Sequence, residues 1–139
     1  MKQQDLVGRW TLSRKIFDRE RRLVGGMWGK ATYEKMSENE LIYRETVMNL
    51  SGESSQFLAR QTYLYIFKEG AVEIHRNGEE QEIPFLKIPY GKTVVDGHYL
   101  CKPDIYTLRW VWVNSHLFYT RFSVKGMRKD HTLETIFRR

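Results

Sequence analysis

The sequence predicts an all-β protein, an antiparallel up-and-down barrel of about ten strands that occupies residues 1–139 as one domain. Three observations predict it. Apolar and polar residues alternate with period two in segment after segment, the mark of a sheet with one buried face. Turn-forming residues recur at the short intervals of an antiparallel meander. Aromatic residues make up 14% of the chain and gather on the alternating faces, as in Trp10-Leu12-Arg14-Ile16, Leu41-Tyr43-Glu45-Val47, Ala59-Gln61-Tyr63-Tyr65 and Tyr106-Leu108-Trp110-Trp112. A filled structural core favours Val, Ile and Leu, because a buried Arg or Glu costs several kcal/mol unless paired. Aromatic walls with a few polar groups are what a ligand-holding barrel needs.

The elements follow in order. A first strand is read over about 6–17 and turns through Asp18-Arg19-Glu20-Arg21. The second spans about 23–35, where Gly25, Gly26 and Gly29 allow tight curvature or a bulge. The third, about 40–50, breaks at Ser51-Gly52-Glu53-Ser54, and the fourth is about 56–68. After Lys68-Glu69-Gly70 comes a short strand over 71–76, and Asn77-Gly78 is a strong hairpin signal into a strand over 80–87. Pro89, Tyr90 and Gly91 open a loop. Strands near 93–101, 105–113, 117–125 and 129–138 complete the meander, divided by Pro103-Asp104, Asn114-Ser115 and Gly126. No amphipathic helix, repeat or low-complexity segment is evident. Closure into a barrel removes exposed edges, which makes a sandwich the lesser option.

Composition narrows the function classes. A chain of 139 residues buries one core or closes one barrel. A mean hydropathy of -0.57 describes a soluble protein, and no apolar run approaches the roughly 20 residues of a membrane span. The opening MKQQDLVGRW lacks the apolar stretch of a signal peptide, so a cytoplasmic location is expected. The single cysteine, Cys101, excludes an internal disulfide and a multi-cysteine zinc site. A net charge of +6 raises the question of nucleic acid. However, Arg9, Lys15, Lys30, Arg44 and Arg60 sit opposite the aromatic faces, and no nucleic-acid module motif accompanies them. A solvated basic exterior is the better reading.

Two turns decide which residues share the interior. The turn at Ser51–Ser54 sets Glu45 opposite either Arg60 or Gln61. A two-residue loop at Asn114-Ser115 places Tyr119 and Arg121 on the Trp110 face, whereas a three-residue loop places Phe118 and Phe122 there. Val111 and Val113 add an apolar outer face to the same strand, which leaves room for a homodimer contact or a covering segment.

Gly8-Arg9-Trp10 resembles the Gly-x-Trp opening of calycin barrels, in which the indole closes one end against a basic residue from the last strand. Several further motifs accompany it: Arg14, Ile16 and Asp18 along the first strand, Gly29-x-Ala31-x-Tyr33, Leu41-x-Tyr43-x-Glu45, and Cys101-x-x-Asp104-x-Tyr106. Val124-x-Gly126-x-Arg128-Lys129-Asp130 and Thr135-x-Phe137-x-Arg139 follow. Together they resemble the domain-of-unknown-function family 6314 over nearly the whole chain. The resemblance implies a calycin-like barrel and brings no settled activity. The chain departs from the family at Met127 and His131, where a Pro and a Tyr are usual, and at Tyr99, Leu86 and Phe122.

The candidate ligand-binding residues are Arg14, Tyr43, Glu45, Gln61, Tyr63, Tyr106 and His131. Arg14 can bind a carboxylate or phosphate through two parallel hydrogen bonds, and Glu45 can orient a hydroxyl or amine. The structural alternative is that Arg14 and Glu45 pair with each other or with neighbours. Tyrosine hydroxyls on apolar rings suit a semi-polar cavity, with core packing the equal alternative. Gly8, Trp10 and Arg139 are the candidates for closing one barrel end, by a cation–π contact. His98, Cys101 and Asp104 cannot converge on an unbroken strand, and the histidines are scattered, so no metal or cofactor is called for. The leading function is a module that binds a small, partly aromatic or anionic molecule. Alternatives are a small barrel enzyme using Glu45 or His131 with tyrosine hydroxyls, and a basic interaction protein with a filled core.

Overall fold

The computed structural model describes residues 2–49, 58–89, 94–101 and 104–139, with the backbone alone for Leu58 and for 94–101 other than Asp96. Among these residues a short helix, α1 (Gln3–Leu6), precedes ten strands: β1 (Gly8–Phe17), β2 (Leu23–Ser37), β3 (Glu40–Asn49), β4 (Leu58–Lys68), β5 (Ala71–Arg76), β6 (Leu86–Pro89), β7 (Val94–Cys101), β8 (Asp104–Asn114), β9 (Leu117–Lys125) and β10 (Asp130–Arg138). All ladders are antiparallel and run in the order β6-β5-β4-β3-β2-β1-β10-β9-β8-β7. The last strand returns to the first, from Thr11 opposite Arg138 to Phe17 opposite Thr132. β6 and β7, the two ends of that order, pack side by side. The result is a nearly closed antiparallel barrel of the calycin type.

Period-two burial does the folding. In β1, Trp10 and Leu12 face inward while Thr11, Ser13 and Lys15 face water. In β8, Tyr106, Leu108, Trp110 and Trp112 are buried, while Val113 on the other face is 47% exposed. One aromatic-rich cluster fills much of the interior, and a smaller one, Ile42, Leu64 and Ile66, lies on the outer face of β3 and β4. The Asn77-Gly78 turn folds over that outer cluster: a Cβ on Gly78 would lie 3.0 Å from Ile42 and Thr62.

Two boundaries differ from the alternation pattern, each for a physical reason. The first strand begins at Gly8 rather than near residue 6. The Asp5 carboxylate accepts the Lys2 amide at 2.8 Å, closing one helical turn that buries Leu6. The strand expected over 80–87 is β6, displaced to Leu86–Pro89. Asn77 and Gly78 do take the positive φ of a tight turn. Beyond it, the Gln81 side-chain amide donates to the Arg76 carbonyl at 2.8 Å and the Gln81 backbone N–H donates to His75 Nδ1 at 3.0 Å. Those bonds hold the chain off the ladder, and Pro84 has no N–H with which to rejoin it.

Register resolves both open turns. The Ser51–Ser54 segment is outside the described residues, but Glu45 lies opposite Gln61, not Arg60. At the other hairpin, Asn114 faces Leu117 across a Ser115-His116 turn, and a bulge between Trp112 and Asn114 then sets Trp112 opposite Phe118. Phe118 and Phe122 therefore face inward.

Candidate functional site

The two barrel ends are built differently. At the end closed by α1, Trp10 is 1% exposed and donates its indole N–H to the Leu6 carbonyl at 2.8 Å. Phe118 is its neighbour, 4.8 Å away edge to face, and itself stacks on Trp110, Trp112 and Phe137. Above the indole, the Arg139 guanidinium sits 4.0 Å from the Trp10 ring. It also donates to the carbonyls of Ser115 and Val7, at 2.7 and 2.8 Å, and to that of Asp5. Gly8 fits beneath it with φ at +123°, where a Cβ would press on Arg139 Nη1. Arg14, the next inward position along β1 after Leu12, takes no part in this closure and bonds instead to Glu45 and Thr135.

Toward the opposite end the interior is not filled. A cavity of about 180 Å³ lies there, lined among the described residues by side chains of nine strands, all but β7, and by Phe85. Five of the sequence-derived candidates line it: Arg14, Tyr43, Glu45, Gln61 and Tyr63. Tyr106 stands behind the lining, packed on Phe85 and Phe122 at 5.3 and 5.8 Å between ring centres. His131 lies two residues beyond the lining residue Leu133 on β10, half-buried, and is not among the lining residues.

Arg14 and Glu45 form the polar floor. Arg14 Nη1 and Nη2 donate to the two Glu45 oxygens at 2.8 and 2.9 Å, and the side chains are 13% and 5% exposed. Arg14 Nε donates to Thr135 Oγ1 at 2.8 Å, and the Tyr43 hydroxyl donates to Glu45 Oε1 at 2.6 Å. The structural pairing weighed from sequence is thus formed, inside a cavity wall. Burial pushes the Glu45 carboxyl up, but the hydrogen bonds and charge of Arg14, with the Tyr43 hydroxyl, outweigh it and hold it below its ordinary value. Burial likewise opposes the Arg14 charge, and Glu45 reverses the effect so that Arg14 is raised. Burial first, then the nearby Glu45 charge, raises the Tyr43 and Tyr63 phenols, so both stay neutral donors. A carboxylate so held is a weak proton acceptor.

Some hydrogen-bonding capacity remains unused. The Arg14 fork retains N–H groups beyond those given to Glu45 and Thr135. Among the described residues the Tyr63 hydroxyl has no hydrogen-bond partner, and the buried Trp110 indole N–H has none either. The remaining wall is aromatic and aliphatic. Phe85 stacks parallel to Tyr63 at 6.2 Å, and Arg76 covers its ring at 3.8 Å.

Sequence reasoning missed Thr135, Phe85 and Thr120 as lining residues. Thr135 carried a usable signal, a lone polar residue between Leu133 and Phe137 on an apolar face. Phe85 carried none, because it belongs to the irregular stretch before β6. The side chains of His98 and Cys101 lie outside the described residues. Among the described residues, no three His, Cys, Asp or Glu side chains gather as a metal site. No helix there is long and apolar enough to cross a membrane.

A nearly closed antiparallel barrel, sealed at one end by a Trp–Arg contact and hollow toward the other, belongs to the calycin-like class. The chain is a member of the family of unknown function DUF6314, whose model matches residues 6–139. Among solved structures it is similar to the S-type phycobiliprotein lyase CPES from Guillardia theta, with a TM-score of 0.66 at 9% identity over 96% of this chain and 86% of that one. At that identity the likeness is one of fold. No curated protein matches the sequence.

Proposed function

We propose that the barrel binds a small, partly aromatic molecule in the cavity above the Arg14–Glu45 pair. The observation that carries this reading is the contrast within one interior: side chains fill the Trp10 end, while a cavity of about 180 Å³ persists where polar donors meet aromatic walls. Size limits the ligand. An apolar cavity of about 150 Å³ takes up benzene, so this one suits a single ring with a small polar substituent. Ring faces of Tyr63, Phe85 and Phe122 suit an aromatic body, and the Arg14 and Tyr63 donors suit a polar group on it. The acid–base alternative finds less support, because both Glu45 oxygens are occupied and His131 is not on the lining.

The test is ligand-observed NMR with toluene, benzamide and benzoate at millimolar concentration, on the native protein and on Leu133→Trp. Leu133 lines the cavity and is half-buried, so an indole there fills the space at small cost to folding. Binding by the native protein and its loss in Leu133→Trp are expected. Equal binding by both, or by neither, contradicts the reading.

A further inference from the structure

We propose that this cavity selects uncharged aromatic molecules carrying a hydrogen-bond acceptor, such as aryl amides and ketones, over the matching carboxylates. The inference rests on the ligand-holding reading and adds the charge the site accepts. An arginine in a small aromatic cavity would ordinarily attract an anion. Here that attraction is already spent: Glu45 takes both ends of the guanidinium fork at 2.8 and 2.9 Å. The floor therefore carries one positive and one negative charge and no net charge.

A second carboxylate placed beside Arg14 would also stand beside Glu45, in a site where Arg14 is 13% and Glu45 5% exposed. Water screens that repulsion poorly. A neutral carbonyl meets no such opposition. It can accept from the Arg14 N–H groups that Glu45 and Thr135 leave over and from the Tyr63 hydroxyl. Tyr43 cannot turn toward a ligand without giving up its 2.6 Å bond to Glu45, so it serves to hold the carboxylate in place.

The test is a calorimetric titration of the whole protein at neutral pH with benzamide, benzoate and toluene. Benzamide is expected to bind about tenfold or more tightly than benzoate. In Glu45→Gln, which leaves the Arg14 charge uncompensated, the order of these two reverses. Where Glu45→Gln does not fold, the double replacement Arg14→Met with Glu45→Met removes both charges at similar volume, a change that buried pairs commonly tolerate. That variant lacks the Arg14 N–H groups and is expected to bind benzamide severalfold more weakly than the native protein does. Benzoate binding the native protein as tightly as benzamide overturns the inference while leaving the ligand-holding reading intact. A double variant that binds benzamide as tightly as the native protein also overturns it. If none of the three probes binds, the ligand-holding reading fails and the inference falls with it.

Discussion

The two halves of the barrel interior use the same residue types for different ends. Around Trp10 an arginine, aromatics and backbone carbonyls pair off with one another. The indole N–H has its carbonyl, Arg139 has three, and Phe118 is stacked on three rings. Around Arg14 another arginine meets another set of aromatics, yet space and donors remain. The difference is what the guanidinium faces. Carbonyls of α1, of the residue before β1 and of the β8–β9 turn fix Arg139 over Trp10, whereas a carboxylate within the wall holds Arg14. An arginine on a barrel wall thus does not by itself mark an anion site.

Substitutions at the filled end should break this contrast most severely. Trp10→Ala removes a buried indole together with its contacts to Phe118 and Trp112. A loss of about 3–5 kcal/mol is expected by urea denaturation, with much of the interior cluster loosened. Arg14→Ala comes next. It leaves Glu45 buried without its partner, and a loss of about 3–5 kcal/mol at neutral pH is typical of such a change. Its pH dependence separates it from simple packing loss. Glu45 titrates below its ordinary 4.5 in the folded protein. The pair's stabilisation is therefore complete above that value and disappears as pH falls through the folded-state value. Native protein and Arg14→Ala should accordingly converge in stability on acidification, while Trp10→Ala stays offset at every pH.

Smaller effects sharpen the account. Gly29 lies between Leu12 and Val47 on neighbouring strands, and a Cβ there would overlap the Thr46 carbonyl. Gly29→Ala should cost about 1–3 kcal/mol in the same denaturation experiment, through the forced separation of β2 and β3. Arg139→Lys keeps the charge over Trp10 but loses the fork that reaches several carbonyls. A loss of about 1 kcal/mol is expected in thermal unfolding, in keeping with a partly exposed cation–π contact.

Much of this was legible in the residues. Alternation exposed the inward faces of β1, β3, β4 and β8, because a period of two allows one buried set per strand. Arg14 and Glu45 stood out as charges on those faces, and their mutual pairing was one of two readings the residues allowed. What could not be read was their separation, since residues 31 apart in sequence meet across an intervening strand, β2. The bulge near Val113 was equally hidden: one extra residue brings Phe118 inward, and alternation alone fits either register. Phe85 was lost to the Gln81 bonds that interrupt the β5–β6 hairpin. The hollow itself has no sequence signature, for it is a space left by side chains that reach elsewhere.

The central claim is that the polar half is a binding cavity and the Trp10 half is not. Intermolecular nuclear Overhauser effects between benzamide ring protons and the protein test it most directly. Contacts to Phe122, Leu133 and Phe137, with none to Trp10 or Leu6, are the predicted result. Contacts only to outward residues such as Tyr119 and Val111, or none at all at saturating benzamide, would contradict it.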